Sequence, residues 1–90
     1  MLLTIDIGNT SIHVGVLENR RIIRTTIIQT DTKKPDIFKS LKKCLGDDKI
    51  KIKGVIVSSV VPKVTIITKH VVKRLLNISQ LYWVKILRCL

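Results

Sequence analysis

The residues with the clearest chemical potential form a short polar stretch directly after the first apolar run of the chain. The stretch reads Asp6-Ile7-Gly8-Asn9-Thr10. A glycine at a bend lets another group approach the backbone closely, and the amide and hydroxyl side chains beside it can donate hydrogen bonds. Such a loop can hold a phosphate oxygen, while the carboxylate can hold or orient the Mg²⁺ that accompanies phosphate. The stretch therefore predicts a phosphate-binding turn with Asp6 beside the metal.

Two strands must position this turn, and both have the alternating pattern of a strand with one buried face. In residues 2–7 the odd-numbered apolar side chains share one face, so Asp6 lies on the other face, next to the turn. Residues 11–17 alternate in the same way, which favours an exposed strand position for His13 over a catalytic one. Residues 21–30 are rich in β-branched side chains and predict a third strand, which completes an antiparallel meander.

A helix is predicted between the third strand and Gly46. The side chains of Thr30 and the two residues after it can cap its start. Ile37, Leu41 and Cys44 then recur at helical spacing, and Gly46 ends the pattern. Cys44 is therefore predicted to be a core contact rather than a reactive thiol. Residues 47–53 predict a charged connection to the next strand.

The apolar run at residues 54–57 predicts a buried strand parallel to the first, because a crossover helix separates the two. Ser58–Ser59 would then stand at the same end of the sheet as Gly8, where ligands bind in open α/β sheets. Two interpretations of these serines are about equally supported: they contact a nucleotide, or they end the strand and help to cap the next helix. That helix opens at Pro62, and residues 79–84 predict a fifth strand.

Composition bounds the size and the surface of the protein. Ninety residues form one small domain, which can bury about 60–65% of the surface that its unfolded chain exposes. The chain has one Trp, one Tyr and one Phe, so its core must be aliphatic. A net charge of +11 would suit nucleic acid or ATP, but the lysines are spread from Lys33 to Lys85 without aromatic side chains to stack on bases. This spread favours a solvated basic surface over a nucleic-acid partner.

The cysteines and the length of the apolar runs indicate the compartment. Cys44 and Cys89 lack the spacing of a metal site, and no secretory leader precedes them. The longest apolar runs are far shorter than the roughly 20 residues that a membrane span needs. The sequence thus predicts a reduced, cytoplasmic protein with no membrane partner.

The polar stretch at residues 6–10, together with the Val-Ser-Ser-Val-Val-Pro segment at residues 57–62, resembles the start of the type III pantothenate kinases. These belong to the superfamily of acetate kinase, sugar kinases, Hsp70 and actin. The resemblance covers residues 1–84 and implies an α/β, ribonuclease H-like (actin-like ATPase) half-domain. Its sheet would be mixed and five-stranded, with the element order βββαβαβ. Residues 85–90 would form a divergent tail after this truncated nucleotide-binding domain.

The resemblance also implies an activity and a set of site residues. Type III pantothenate kinases use ATP to phosphorylate pantothenate to 4′-phosphopantothenate, the first step of coenzyme A biosynthesis, with Mg²⁺ and a monovalent cation, K⁺ or NH₄⁺. Asp6 would orient the Mg²⁺ directly or through water, and the backbone at Gly8 would admit the phosphates. The stretch that would hold ATP comprises Asp6, Ile7, Gly8, Asn9, Thr10, Ser11, Ile12 and His13.

The C-terminal end departs from the family pattern. Where the family continues into a Val-Gly-Pro-Gly segment, residues 84–90 read Val-Lys-Ile-Leu-Arg-Cys-Leu, and no Gly-Ala-Asp-Arg segment with the catalytic base follows. The ninety residues alone are therefore expected to be nearly inactive. They could be a decayed fragment, one half of a split kinase that pairs with a separately encoded C-terminal half, or a basic regulatory or nucleic-acid-binding module. The intact family is homodimeric through parts outside this segment.

Overall fold

The computed structural model describes residues 1–30, 34–76 and 82–87. These residues form five strands, two α-helices and a short 3₁₀ helix: β1 (Leu2–Ile7), β2 (Ser11–Glu18), β3 (Arg21–Gln29), α1 (Lys34–Leu45), the 3₁₀ helix (Gly46–Lys51), β4 (Gly54–Ser59), α2 (Pro62–Leu76) and β5 (Tyr82–Leu87). The order of strands and α-helices confirms the predicted βββαβαβ pattern. Neither described helix has the length and apolar character needed to cross a membrane.

The five strands form one mixed sheet in the order β3-β2-β1-β4-β5. Short turns join β1, β2 and β3, so these strands pair antiparallel. Helices separate β1 from β4 and β4 from β5, and these pairs are parallel. The predicted position of the fourth strand beside the first is therefore confirmed. β1 lies at the centre of the sheet and carries Asp6 near its end.

Both α-helices contribute to one aliphatic core on one face of the sheet. The side chains that are at most 1% exposed include Leu3, Ile5, Ile7, Val55, Val57, Ile37, Leu41 and Val71. Burying each such side chain contributes about 1.5–3 kcal/mol relative to leaving it in water. Phe38 is only partly buried and packs against this aliphatic core. The opposite face of β1, which carries Asp6, is only partly covered.

The packing of α1 explains the fate of its cysteine. Cys44 is 8% exposed and contacts the core, which confirms the prediction for this residue. Burial raises the pKa of the Cys44 thiol, and the nearby Arg24 guanidinium opposes that rise more weakly. Where α1 meets α2, the guanidinium of Arg74 lies over the ring of Phe38, 5.3 Å from its centre. The cation therefore covers the single phenylalanine of the chain.

The charged connection after α1 contains a 3₁₀ helix. Gly46 has a φ of +54° and ends α1, and the 3₁₀ helix begins at the same residue. Arg24 on β3 donates a hydrogen bond to the carbonyl of Leu45 at 3.3 Å and forms an ion pair with Asp48. This cation lies where the negative end of the helix dipole is concentrated. One β3 side chain thus fastens both the end of α1 and the 3₁₀ helix.

The fifth strand lies later in the chain than predicted. It was expected at residues 79–84, and its described residues are Tyr82–Leu87, which pair with all six residues of β4. Residues 79–81 lie outside the described part of the chain, as do Asp31, Thr32 and Cys89.

Candidate functional site

A tight turn joins β1 to β2 at the end of the sheet. The N–H of Gly8 donates a hydrogen bond to the carbonyl of Ser11 at 2.9 Å, and Asn9 and Thr10 are exposed at the tip. Gly8 does not have the left-handed backbone of Gly46. A Cβ at Gly8 would lie 3.3 Å from the Ser11 carbonyl oxygen, which is closer than ordinary contact. Glycine therefore suits this position because it lets the two arms of the hairpin approach.

Residues that directly follow β3 and β4 form hydrogen bonds with the turn and the end of β1. The hydroxyl of Thr30 donates to the carbonyl of Gly8 at 2.8 Å, and the N–H of Thr30 donates to the carbonyl of Thr10 at 3.1 Å. On the other side, the N–H of Val60 donates to the carbonyl of Ile7 at 3.1 Å. These contacts hold the backbone of the turn in one conformation without using its exposed side chains.

The prediction that Thr30 caps the first helix is wrong. Its side chain is buried against the turn, because the pairing of β3 with β2 continues past Gln29 and brings residue 30 opposite Thr10. A residue that shapes the candidate site was therefore missed by sequence reasoning. The register of the second hairpin, extended by one residue from Ser11 opposite Gln29, is the signal that could have found it.

Asp6 lies between two polar neighbours on the open face of the sheet, which is the face opposite the aliphatic core. The strand register places it opposite His13 on β2 and opposite Ser58 on β4. The carboxylate is half-buried, and its Oδ1 is enclosed by the protein. Its position next to the turn is the one predicted. A cleft of about 330 Å³ begins here and extends over Gly15 toward Ile27.

His13 is exposed, and its Nε2 lies 3.1 Å from the hydroxyl oxygen of Ser11. The side chains of Ile7 and Ile12, in contrast, are at most 1% exposed and point into the core. These two members of the predicted ATP-holding stretch therefore hold the hairpin on the sheet. Asn9, Thr10 and Ser11 keep polar side chains near the turn.

The two serines after β4 separate into different roles. Both stand at the same end of the sheet as Gly8, as predicted, since Ser59 lies opposite Ile7. Ser59 is fully buried, and its Oγ accepts hydrogen bonds from the N–H of Val61 at 3.0 Å and from the hydroxyl of Thr65 at 2.6 Å. It therefore ends β4 and links the strand to the start of α2 through Val61 and Thr65. Ser58 lies on the open face of the sheet, beside Asp6.

The donor set near the turn fits one kind of metal ion. The described residues contain no group of three or more His, Cys, Asp or Glu side chains that could hold a metal alone. Mg²⁺ is commonly bound by one or two carboxylates together with water and substrate phosphates. A single half-buried carboxylate beside a polar turn fits that arrangement and does not fit an all-protein cage.

Comparison with known proteins shows which family shares this hairpin. A family model described as type III pantothenate kinase matches residues 2–88. The chain belongs to this family. It is 40% identical over 70 residues to the type III pantothenate kinase of Geotalea uraniireducens (strain Rf4), and 39% identical over 67 residues to that of Myxococcus xanthus (strain DK1622).

These matches cover 72% and 69% of the chain but 27% and 26% of the two relatives. The chain therefore spans about a quarter of the length of the type III pantothenate kinases to which it is similar. The residues matched by the family model, 2–88, include the β1–β2 hairpin and all five strands.

Solved structures support the fold independently of sequence. A Porphyromonas gingivalis protein described as an N-acetylglucosamine kinase superposes with a TM-score of 0.69 at 13% identity, covering 94% of this chain and 34% of that one. RuvC from Thermus thermophilus superposes with a TM-score of 0.60 at 16% identity, covering 93% and 60%. At these identities the likeness concerns the fold alone. It confirms the predicted ribonuclease H-like, actin-like ATPase fold.

Proposed function

We propose that the chain serves the ATP-dependent phosphorylation of pantothenate to 4′-phosphopantothenate, the first step of coenzyme A biosynthesis, as the part that holds the phosphates of ATP. The observation that carries this proposal is the position of Asp6. It stands at the carboxyl end of the central strand, beside a rigid turn, in a member of the type III pantothenate kinase family. Ligands of open α/β sheets bind at that end of the strands.

Within this proposal the residues of the turn have separate tasks. Asn9, Thr10 and Ser11 donate hydrogen bonds to phosphate oxygens, and Asp6 orients the Mg²⁺. A Mg²⁺ ion held beside Asp6 would supply positive charge that offsets the negative charge of the phosphates during phosphoryl transfer. Ser58, next to Asp6 on β4, is close enough in the sheet to orient a water or a phosphate oxygen at the same place. Thr30 holds the turn in its conformation through its hydrogen bond to the carbonyl of Gly8.

The binding site for pantothenate, the monovalent-cation site and the catalytic base are not assigned to this segment. We place pantothenate, the monovalent cation and the catalytic base in the parts of the family that this segment does not span. In a split kinase, a separately encoded C-terminal half would supply them. A cytoplasmic location follows from the proposed activity, since ATP and pantothenate are used there.

Nucleotide binding tests the proposal directly. Titration calorimetry of the chain with ATP should give Mg²⁺-dependent binding, and Asp6→Asn should weaken it about tenfold or more, because a charge-assisted metal contact is lost. Asp36→Asn is the matched control, because Asp36 is exposed on α1. Equal ATP affinity in all three proteins, or affinity that is unaffected by Mg²⁺, would remove the basis of the proposal.

Catalysis by the chain alone should be very weak. Loss of a general base typically lowers a rate by about 10²–10⁴. Loss of substrate positioning can add roughly 7–11 kcal/mol to the barrier. A coupled assay with ATP and pantothenate should therefore stay at background for the ninety residues.

A further inference from the structure

β3 forms one edge of the described sheet, and its backbone is paired on one side only. The hydrogen bond from the N–H of Thr30 to the carbonyl of Thr10 fixes which residues face β2. Because hydrogen-bonded and non-bonded pairs alternate in an antiparallel ladder, the outward N–H and C=O groups belong to Thr25, Ile27 and Gln29. These three residues present a regular row of backbone donors and acceptors.

The side chains of β3 do little to prevent this edge from pairing with another strand. Natural edges are commonly blocked by lysine, proline, bulges or inward charges. β3 contains neither lysine nor proline. Its register is irregular only opposite Val16/Leu17, which leaves the stretch from Arg24 to Thr30 regular. Ile27, in the middle of that stretch, is 65% exposed.

The charge of this stretch is locally compensated. Arg24 is its single ionic side chain, and its guanidinium is already engaged by Asp48 and by the carbonyl of Leu45. A strand that is neutral and apolar at its centre does not favour an acidic partner. Such a strand pairs best with another strand that is also neutral and apolar at its centre.

We propose that β3 pairs antiparallel with β3 of a second copy of this chain, about a two-fold axis at Ile27. Ile27 then faces Ile27 of the second copy, Thr25 faces Gln29, and Arg24 faces Thr30. No cation faces a cation, and the isoleucine pair lies on the open face of the sheet. Since the same strand edge is used by both copies, the assembly closes as a dimer with one continuous sheet.

This register agrees with the backbone geometry. The three facing pairs that include Ile27, Thr25 and Gln29 are those whose N–H and C=O groups both point outward, so they can exchange hydrogen bonds. The irregularity beside Ile22 and Ile23 ends the ladder on one side. A ladder of this length makes a small interface, which belongs to the weak, transient class. We therefore expect a weak dimer that forms only at high protein concentration.

Sedimentation over a concentration series of the ninety-residue chain tests the pairing. The wild type should pass from monomer to dimer, and Ile27→Lys should raise the dissociation constant about tenfold or more, because two lysines would then face each other. Ile66→Lys is the matched control, because Ile66 is 59% exposed but lies on α2. Its dissociation constant should stay within about twofold of the wild type. Salt should strengthen the dimer, because each copy carries a net charge of +11.

Two further measurements separate strand pairing from other association. Amide exchange by NMR should slow with concentration at Thr25, Ile27 and Gln29. Thr25→Pro removes one outward N–H without touching the β2 ladder, so it should remain folded and monomeric. A monomer at all concentrations, open-ended polymers, equal effects of both lysine variants, or dimers without protection at these amides would each overturn the proposal. So would an extended peptide of another protein that protects the same amides while this chain alone stays monomeric.

Discussion

Thr30 shows how a residue outside a ligand-binding stretch can decide the shape of that stretch. Its hydroxyl reaches the carbonyl of Gly8, and its own N–H reaches the carbonyl of Thr10. Both contacts use backbone oxygens, so the side chains of Asn9 and Thr10 stay exposed at the tip. The turn is therefore ordered before any phosphate binds, and less conformational entropy is lost on binding.

Replacing Thr30 by valine tests this arrangement. Thr30→Val keeps the shape of the side chain but leaves the carbonyl of Gly8 without its hydroxyl donor, so stability should fall by about 1–3 kcal/mol. Urea unfolding followed by circular dichroism measures this loss. Thr25→Val, on the exposed side of the same strand, should change stability by less than about 0.5 kcal/mol. If both variants unfold at the same urea concentration as the wild type, the Thr30 hydroxyl does not support the turn.

Among the elements, α1 and β3 are joined by Arg24 at the end of the helix where Cys44 is buried. The arginine, the Leu45 carbonyl and Asp48 close one end of the helix–sheet interface. Burial keeps the Cys44 thiol neutral by raising its pKa, with Arg24 acting in the opposite sense. The packing of α1 against the sheet should therefore make the stability of the protein depend on pH through Cys44.

Stability should fall at alkaline pH through this thiol. The folded state holds the Cys44 proton to higher pH than the unfolded state, whose thiol ionises near about 8.5. Between these pKa values the unfolded chain binds fewer protons, so the free energy of unfolding decreases as pH rises above about 8.5 and is unaffected below it. Urea unfolding of wild type and Cys44→Ala at pH 7 and pH 10, with reductant, isolates the effect. The pH-dependent loss should be smaller in Cys44→Ala, and an equal loss in both would contradict it.

The elements also show what the sequence could and could not predict. The β1–β2 hairpin follows from local alternation, and the parallel placement of β4 follows from the crossover helix, so Ser58 could be placed beside Asp6 in advance. Alternation along β4 also places Ser59 on the core face, opposite Ile7, but its hydrogen bond with Thr65 depends on the packing of α2, which no local pattern predicts. The 3₁₀ helix depends in the same way on Arg24, a residue far away in sequence. Local patterns predicted the strands, and long-range side-chain contacts decided the details.

At the scale of the whole molecule, one aliphatic core supports both the site and the exposed edge. Ile5 lies at its centre on β1 and is 1% exposed. A small domain has a total stability of about 5–15 kcal/mol, so the loss of one large core side chain is a substantial fraction of it.

Ile5→Ala should lower stability by about 2–5 kcal/mol, through lost burial and a residual cavity. Thermal or urea unfolding measures the change, and a marginal domain would be largely unfolded. Ile66→Ala removes the same atoms from an exposed site and should cost less than about 0.5 kcal/mol. Similar losses in the two variants would mean that the core is not packed as described.

The central position of β1 also governs how a nascent chain could fold. Leu2 pairs with Leu17 on one side, but its partner on the other side is Gly54, which emerges only after α1 and the 3₁₀ helix. On the ribosome the chain would first form the three-stranded meander of β1, β2 and β3. The edge of β1 that later pairs with β4 would stay unpaired until β4 is synthesised. Long-range pairing of this kind is slow, and unpaired strands are prone to misassembly. The rate of translation through residues 30–59, and the chaperones that meet the chain there, would therefore limit how much of it reaches the native state.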